Sequence, residues 1–266
     1  MSLVVSAVGL SSLADERAAH FARLGEGPEL FLELMLRTAA AWRIDWRGRR
    51  AGYCLSSADR LLVELDLERP LGAEGPHVFG ALCRRLALRG AWCPSFDSLL
   101  LGLGHGVGWT SAVEGPLFRD LADDRGPAPT EHQGLRLRPA VAADVDAILP
   151  HRADVFGDDE ECREWVGRDL VSVLERDGQF LGIGLLTRVW GTRREHDVGV
   201  MVHPDHRGRG YASFVLRSLK RRCLDLGMRP TAGCSRENVA SAAALRRAGF
   251  VSRHALLRLQ ARGGQG

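Results

Sequence analysis

The chain has 266 residues, enough for two domains of about 130 residues each. Its hydrophobic content of 45% and charged content of 26% are typical of globular proteins, and its net charge of +3 does not indicate a nucleic-acid partner. The six cysteines lack metal-binding spacing, and no apolar run reaches about 18 residues, so we expect neither a metal site nor a membrane span. The N-terminus has no basic segment before its short apolar run, so we expect no signal peptide and a cytoplasmic protein.

The first half, residues 1–126, predicts a β-hairpin, a strand, a helix and a further strand. The hairpin is WRIDWRGRRAGYCL, the strand is LLVELDL and the helix is VFGALCRRLALRG. The glycines of Gly102–Gly108 have no basic residue nearby, and we interpret this run as a loop or a strand bend. Residues 127–134, with two prolines and a glycine, form the predicted linker.

The second half, residues 135–266, repeats this order. A strand at Leu135–Pro139 and two short helices come first, followed by a hairpin with its turn at Asp177-Gly178. The rest of this half is predicted to form a strand at 196–202, an amphipathic helix at 211–226, a strand at 229–234, a helix at 241–248 and a final strand at 255–260. The pattern predicts a duplicated α/β unit with a mixed sheet, of the α+β type.

The junction between the strand at 196–202 and the following helix reads HPDHRGRGYA. Gly208 and Gly210 leave the backbone open, and Arg207 and Arg209 add positive charge where the helix begins near Tyr211. A helix N-terminus offers unpaired N–H groups and a partial positive charge. The junction therefore predicts a phosphate or pyrophosphate site. The alternatives are a tight turn with solvated arginines and an arginine–glycine nucleic-acid segment, although such segments are repeated and this one occurs once.

Two motifs resemble the signatures of the GNAT acyltransferase superfamily. Arg207, Gly210 and Ala212 match its acyl-CoA signature, Q/R-x-x-G-x-G/A, after a V-x-P at 202–204. In ENVASAAALRRAGF, Asn238 and the closing G-F match its second signature. The resemblance covers residues 135–260, and the first half resembles a GNAT domain only in outline. It implies two GNAT-like domains in tandem, the first of them degenerate.

The resemblance implies a CoA thioester, acetyl-CoA, as cosubstrate. In the family the strand before the loop splays from its neighbour, and the pantetheine arm lies in the gap. The implied cofactor-binding residues are those of the strand, the loop and the last helix: Val200, Val202, Arg207, Gly208, Arg209, Gly210, Tyr211, Ala212, Ser213, Asn238 and Ser241.

Direct transfer of the acetyl group to an amine needs a base for the amine proton. The family often carries a glutamate near the start of the third strand, so we favour Glu195 as the catalytic base, followed by Asp197. The alternative is that both are solvated charges at the end of a strand. His196 lies on the same face as the valines of the strand, which favours a packed, structural histidine.

The leaving thiolate has no obvious acid. Many family members carry a tyrosine five residues before the phenylalanine of G-F, and this chain has Leu245 there, with Tyr53 and Tyr211 as its only tyrosines. Catalysis does not depend on this acid, because a thiol with a pKa of about 8.5 leaves as thiolate. Leu245 keeps open a second reading, a non-catalytic acyl-CoA-binding regulatory module. Transfer of a larger acyl group is a weaker alternative.

The acceptor is an amine of unknown identity. The acidic residues in Asp154–Glu161 either attract a cationic amine or complement a helix dipole. A homodimer is left open. At the matching junction of the first half, Glu68 and Glu74 stand where the second half has arginines, so we expect one acetyl-CoA per chain.

Overall fold

The computed structural model describes residues 3–122, 134–191 and 193–261. They divide into two compact units, one built from Met1–Pro116 and His254–Gly266 and the other from Leu117–Arg253. Apart from Gly134, the predicted linker lies outside the described residues, so the division of the chain at 127–134 stays a prediction.

Residues 3–122, the first described range, contain six strands and four α-helices. In chain order these are β1 (Leu3–Val8), α1 (Ala14–Leu24), α2 (Leu30–Met35), β2 (Ala40–Trp46), β3 (Arg49–Ser56), β4 (Leu61–Leu67), α3 (Gly75–Leu86), β5 (Gly90–Pro94), α4 (Ser98–Gly106) and β6 (Thr110–Leu121).

The described residues from 134 onwards also contain six strands and four α-helices. They are β7 (Leu135–Pro139), α5 (Val145–Ile148), α6 (Asp159–Gly167), β8 (Val171–Arg176), β9 (Gln179–Arg188), β10 (Glu195–Val202), α7 (Tyr211–Asp225), β11 (Arg229–Gly233), α8 (Val239–Arg247) and β12 (Phe250–Gln260). The predicted hairpin turn is present, with Asp177 and Gly178 both at positive φ. Among all the described helices, none is both long and apolar enough to cross a membrane.

Both units contain a mixed sheet of the same plan, which confirms the predicted fold class. In the first unit β1 to β4 pair antiparallel in sequence order, β4 pairs parallel with β5, and β5 pairs antiparallel with β12. In the second unit β7 to β10 pair antiparallel, β10 pairs parallel with β11, and β11 pairs antiparallel with β6.

The last strand of each unit differs from the sequence prediction, which assigned residues 255–260 to the second half. In the structure Leu259 of β12 is fully buried in the core of the first unit, and Phe118 of β6 is fully buried in the core of the second. The reason is physical: the packing of a strand face against a core selects its partner, and nothing in the local sequence specifies which core that is.

The run Gly102–Gly108 does not form the loop or strand bend expected from its glycines, and the prediction there was wrong. Residues up to Gly106 belong to α4, whose first turn is capped by the Asp97 carboxylate accepting from the N–H of Leu100 at 3.0 Å. A Cβ at Gly104 would stand 2.9 Å from Leu259 Cδ1, so the absence of a side chain allows the helix to pack closely on β12.

Candidate active site

Strands β10 and β11 separate after a short parallel contact. Their register joins Glu195–Asp197 to Arg229–Thr231 and does not extend further within the described residues, whereas β10 remains paired with β9 as far as Val202. The N–H of His203 donates to Leu181 O on the β9 side at 2.9 Å. Because N–H groups alternate along a strand, those of Val200 and Val202 point into the opening, which we call the β10 gap.

The loop after β10 leads directly into the N-terminus of α7. Gly208 and Gly210 have φ of 78° and 81°, a left-handed conformation that favours glycine. Gly210 is the N-cap residue and supplies no side-chain cap, so the first N–H groups of α7 are left for another acceptor. A Cβ at either glycine would meet no atom within 4 Å, so the backbone is open to an incoming group.

A cleft of about 500 Å³ lies between the end of β10, this loop and α8. All the cofactor-binding residues predicted from the sequence line it except Arg209, whose guanidinium donates to Asp205 O at 3.3 Å. No lining residue that the structure describes is acidic. Residues that sequence reasoning missed also line it: Met201, His206, Ala240, Ala244 and Arg247. The helical spacing of 240, 244 and 247 was the available signal.

The start of α8 is fixed by Asn238. Its Oδ1 accepts from the N–H of Ser241 at 3.0 Å, as Asp97 does on α4 in the first unit. Four residues after Ser241, Leu245 is 2% exposed and belongs to the core of the second unit. The side chain at the position of the family's tyrosine therefore packs inward.

Glu195 and Asp197 occupy different positions on β10. Glu195 is buried and forms two hydrogen bonds with Arg193, at 2.9 and 3.1 Å. Burial opposes its ionisation, but the hydrogen bonds from Arg193 and the charge of Arg229 hold its pKa below the ordinary range. Neither acid lines the cleft, and Glu195 starts the strand about 17 Å before Val200. Asp197, which is half-buried, is the last residue paired with β11.

His196 is buried, and its Nδ1 donates to Arg194 O at 3.1 Å. A ring held by a backbone carbonyl on a buried strand face matches the structural reading of this histidine.

The acidic residues at 158–161 act locally on α6. Asp158 Oδ1 accepts from the N–H of Glu161, and Glu161 Oε2 accepts from the N–H of Gly157, both at 2.8 Å. Asp159 pairs with Arg152 at 2.5 Å. These contacts favour the helix-capping interpretation of this segment.

The matching junction of the first unit carries both acidic and basic side chains, and among the basic ones Arg23 pairs with Asp66 at 2.5 Å and His20 stands beside it. A cavity of about 330 Å³ lies there and is lined by three carboxylates, those of Asp66, Glu68 and Asp97. Beside it, the Arg17 guanidinium is 2% exposed and pairs with Glu33 and Glu64 at 2.5 and 2.8 Å. The Tyr53 hydroxyl donates to Glu64 at 2.5 Å, so one of the two tyrosines is held in this cluster.

Comparison with known proteins agrees with this geometry. A family profile described as "Acetyltransferase (GNAT) family" matches residues 141–250, and one described as "Acetyltransferase (GNAT) domain" matches residues 10–121. The chain belongs to the GNAT family. It is an N-acetyltransferase with two GNAT domains in tandem, as the resemblance implied.

Solved structures similar to this N-acetyltransferase share its fold over nearly the whole chain. A GNAT acetyltransferase from Colwellia psychrerythraea is 16% identical with a TM-score of 0.85, covering 97% of this chain and 99% of its own. A GCN5-related N-acetyltransferase from Sphaerobacter thermophilus is 19% identical with a TM-score of 0.65, covering 97% and 95%. A tandem GNAT protein of the clavulanic acid pathway is 15% identical with a TM-score of 0.63, covering 100% of both chains. The comparison with curated protein sequences gave no match.

Proposed function

We propose that the second unit transfers the acetyl group of acetyl-CoA directly to an amine of an acceptor. The observation that carries this proposal is the junction at the mouth of the β10 gap, where a glycine loop opens onto the uncapped N-terminus of α7. The N–H groups of the first turn and the helix dipole favour a pyrophosphate there. The N–H groups of Val200 and Val202 face the gap, where one of them would donate to an amide carbonyl of the pantetheine arm.

The charge of the cleft supports an anionic ligand. Arg207 and Arg247 line it, and no described lining residue is acidic. Arg207 Nε donates to Val202 O at 3.1 Å, which ties the loop to the end of β10. Arg209 acts from outside the cleft as an exposed charge, so its contribution is screened by salt.

Asp197 is the better candidate for the base that accepts the proton of the amine. It is the last residue of β10 paired with β11, at the closed end of the β10 gap, about 10 Å along the strand from Val200. A general base works best with a pKa near the working pH. The salt bridge and lowered pKa of Glu195 favour a structural role for that residue.

Once the pantetheine arm has taken one of the two N–H groups that face the β10 gap, the other, at Val200 or Val202, would stabilise the developing oxyanion. The CoA sulfur leaves as thiolate, since Leu245 is buried in the core and offers no proton. The first unit keeps the fold, and we propose no acetyl-CoA site in it.

The test is release of free thiol from acetyl-CoA against a panel of amines, with acetylated products identified by mass spectrometry. We expect one amine class to give saturable turnover above the rate without acceptor. Saturable acetyl-CoA binding with no thiol release for any amine class would contradict the proposed transfer to an amine.

A further inference from the structure

Arg247, near the end of α8, lines the cleft, and its positive charge has no role in the proposed binding of the pyrophosphate by the glycine loop. We infer that Arg247 binds the 3′-phosphate of the CoA moiety and selects CoA thioesters over donors without this phosphate. This inference rests on the proposed use of acetyl-CoA.

The position of Arg247 along α8 separates it from the thioester end of the cleft. The cleft-lining face of this helix runs through Asn238, Ser241, Ala244 and Arg247. Ser241 and Arg247 are six positions apart, a distance of about 9 Å along the helix. A ligand that reaches from the β10 gap past the α7 N-terminus therefore meets Arg247 with its far end.

Contacts between α7 and α8 hold Arg247 at a distance from the N-terminus of α7, where the pyrophosphate is proposed to bind. The Ser213 hydroxyl, in the first turn of α7, donates to Ala244 O at 3.5 Å. One turn later, Arg217 Nη2 donates to Arg247 O at 2.8 Å. The backbone of Arg247 is thus held about one helical turn past the N–H groups of the loop, which is on the order of 5 Å.

The guanidinium of Arg247 is available to a ligand. Its side chain is exposed, and no acidic partner for it exists among the described residues. In the proposed site the N–H groups at the α7 N-terminus bind the pyrophosphate, and the 3′-phosphate lies farther along the ligand. A second dianion needs its own donor, and a guanidinium offers several N–H groups in a planar fork that matches phosphate oxygens.

Arg246 is the matched control. It is the neighbouring residue on the same helix, carries the same charge and is also exposed. Its guanidinium stands over the ring of Phe118, 5.8 Å from the centroid, and it does not line the cleft. Removing it therefore changes the net charge equally without touching the cleft.

The experiment compares the Kd values of CoA and 3′-dephospho-CoA for the wild-type chain, Arg247→Ala and Arg246→Ala. We expect wild type and Arg246→Ala to bind CoA about tenfold more tightly than dephospho-CoA. In Arg247→Ala the two ligands should bind with nearly equal Kd, because only the affinity for CoA falls. Circular dichroism and melting temperatures check that all three chains are folded.

Each of the following results would overturn this inference. Wild type that does not distinguish the two ligands, or an Arg247→Ala chain that keeps the wild-type ratio, refutes it and leaves the proposed acetyl-CoA site standing. If the ratio is kept because the affinity for both ligands falls equally, Arg247 contacts a part of the ligand that both share or supports the fold. Wild type that binds neither ligand overturns the proposed function as well.

Discussion

Replacing Gly210 by valine tests whether the N-terminus of α7 holds the pyrophosphate. With φ of 81°, a residue other than glycine strains the backbone by about 1–2 kcal/mol. The valine side chain would also stand between the ligand and the N–H groups. Losing one hydrogen bond to a charged group costs about 1.5–3 kcal/mol, so the Kd for acetyl-CoA should rise about 10- to 150-fold.

A second variant, Gly25→Val, isolates the strain from the loss of the site. Gly25 ends α1 in the first unit with φ of 74°, and, like Gly210, an added Cβ there meets no atom within 4 Å. It lies outside the cleft. Both variants should therefore lose a similar amount of stability, but only Gly210→Val should lose affinity.

Isothermal titration with acetyl-CoA and thermal unfolding of both variants provide the two measurements. If folded Gly210→Val bound acetyl-CoA with the wild-type Kd, the placement of the ligand at this helix would be refuted. A Gly25→Val chain that lost affinity equally would show that the effect comes from stability alone.

Three further predictions concern the base, the buried ion pairs and the stoichiometry. Asp197→Asn should lower kcat by about 10²- to 10⁴-fold with an unchanged Kd for acetyl-CoA. Glu195→Gln should mainly lower the melting temperature. If Asp197→Asn kept the wild-type kcat, Asp197 would be excluded as the base. Burial raises the pKa of Glu33 to about 7 despite its pairing with Arg17, so the folded state holds this proton longer than the unfolded chain. The free energy of unfolding should therefore fall as pH rises from about 4.5 to 7. Glu33→Gln should make this dependence on pH weaker, as measured by unfolding at a series of pH values. The same dependence on pH in wild type and Glu33→Gln would contradict the prediction. Titration calorimetry should give one acetyl-CoA per chain, because carboxylates line the first unit's cavity; two would contradict this.

The sequence alone determined features that depend on neighbouring residues. The turn at Asp177-Gly178 and the loop through Gly208 and Gly210 were predictable, because few residues other than glycine tolerate positive φ. Asn238 could be assigned to the start of a helix for a similar reason, since its side chain caps N–H groups only three residues away. The proposed anion site is local as well, since one loop and one helix end build it.

Only the tertiary structure decided what depends on distant segments. Arg247 reaches the cleft because α8 packs beside α7, and Glu195 is buried although it stands at the start of a strand, which no short stretch of sequence shows. The same holds for β12, whose Leu259 is buried in the core of the first unit. Apolar alternation predicts that a strand has a buried face, but the shape of the core that receives this face arises from residues far along the chain.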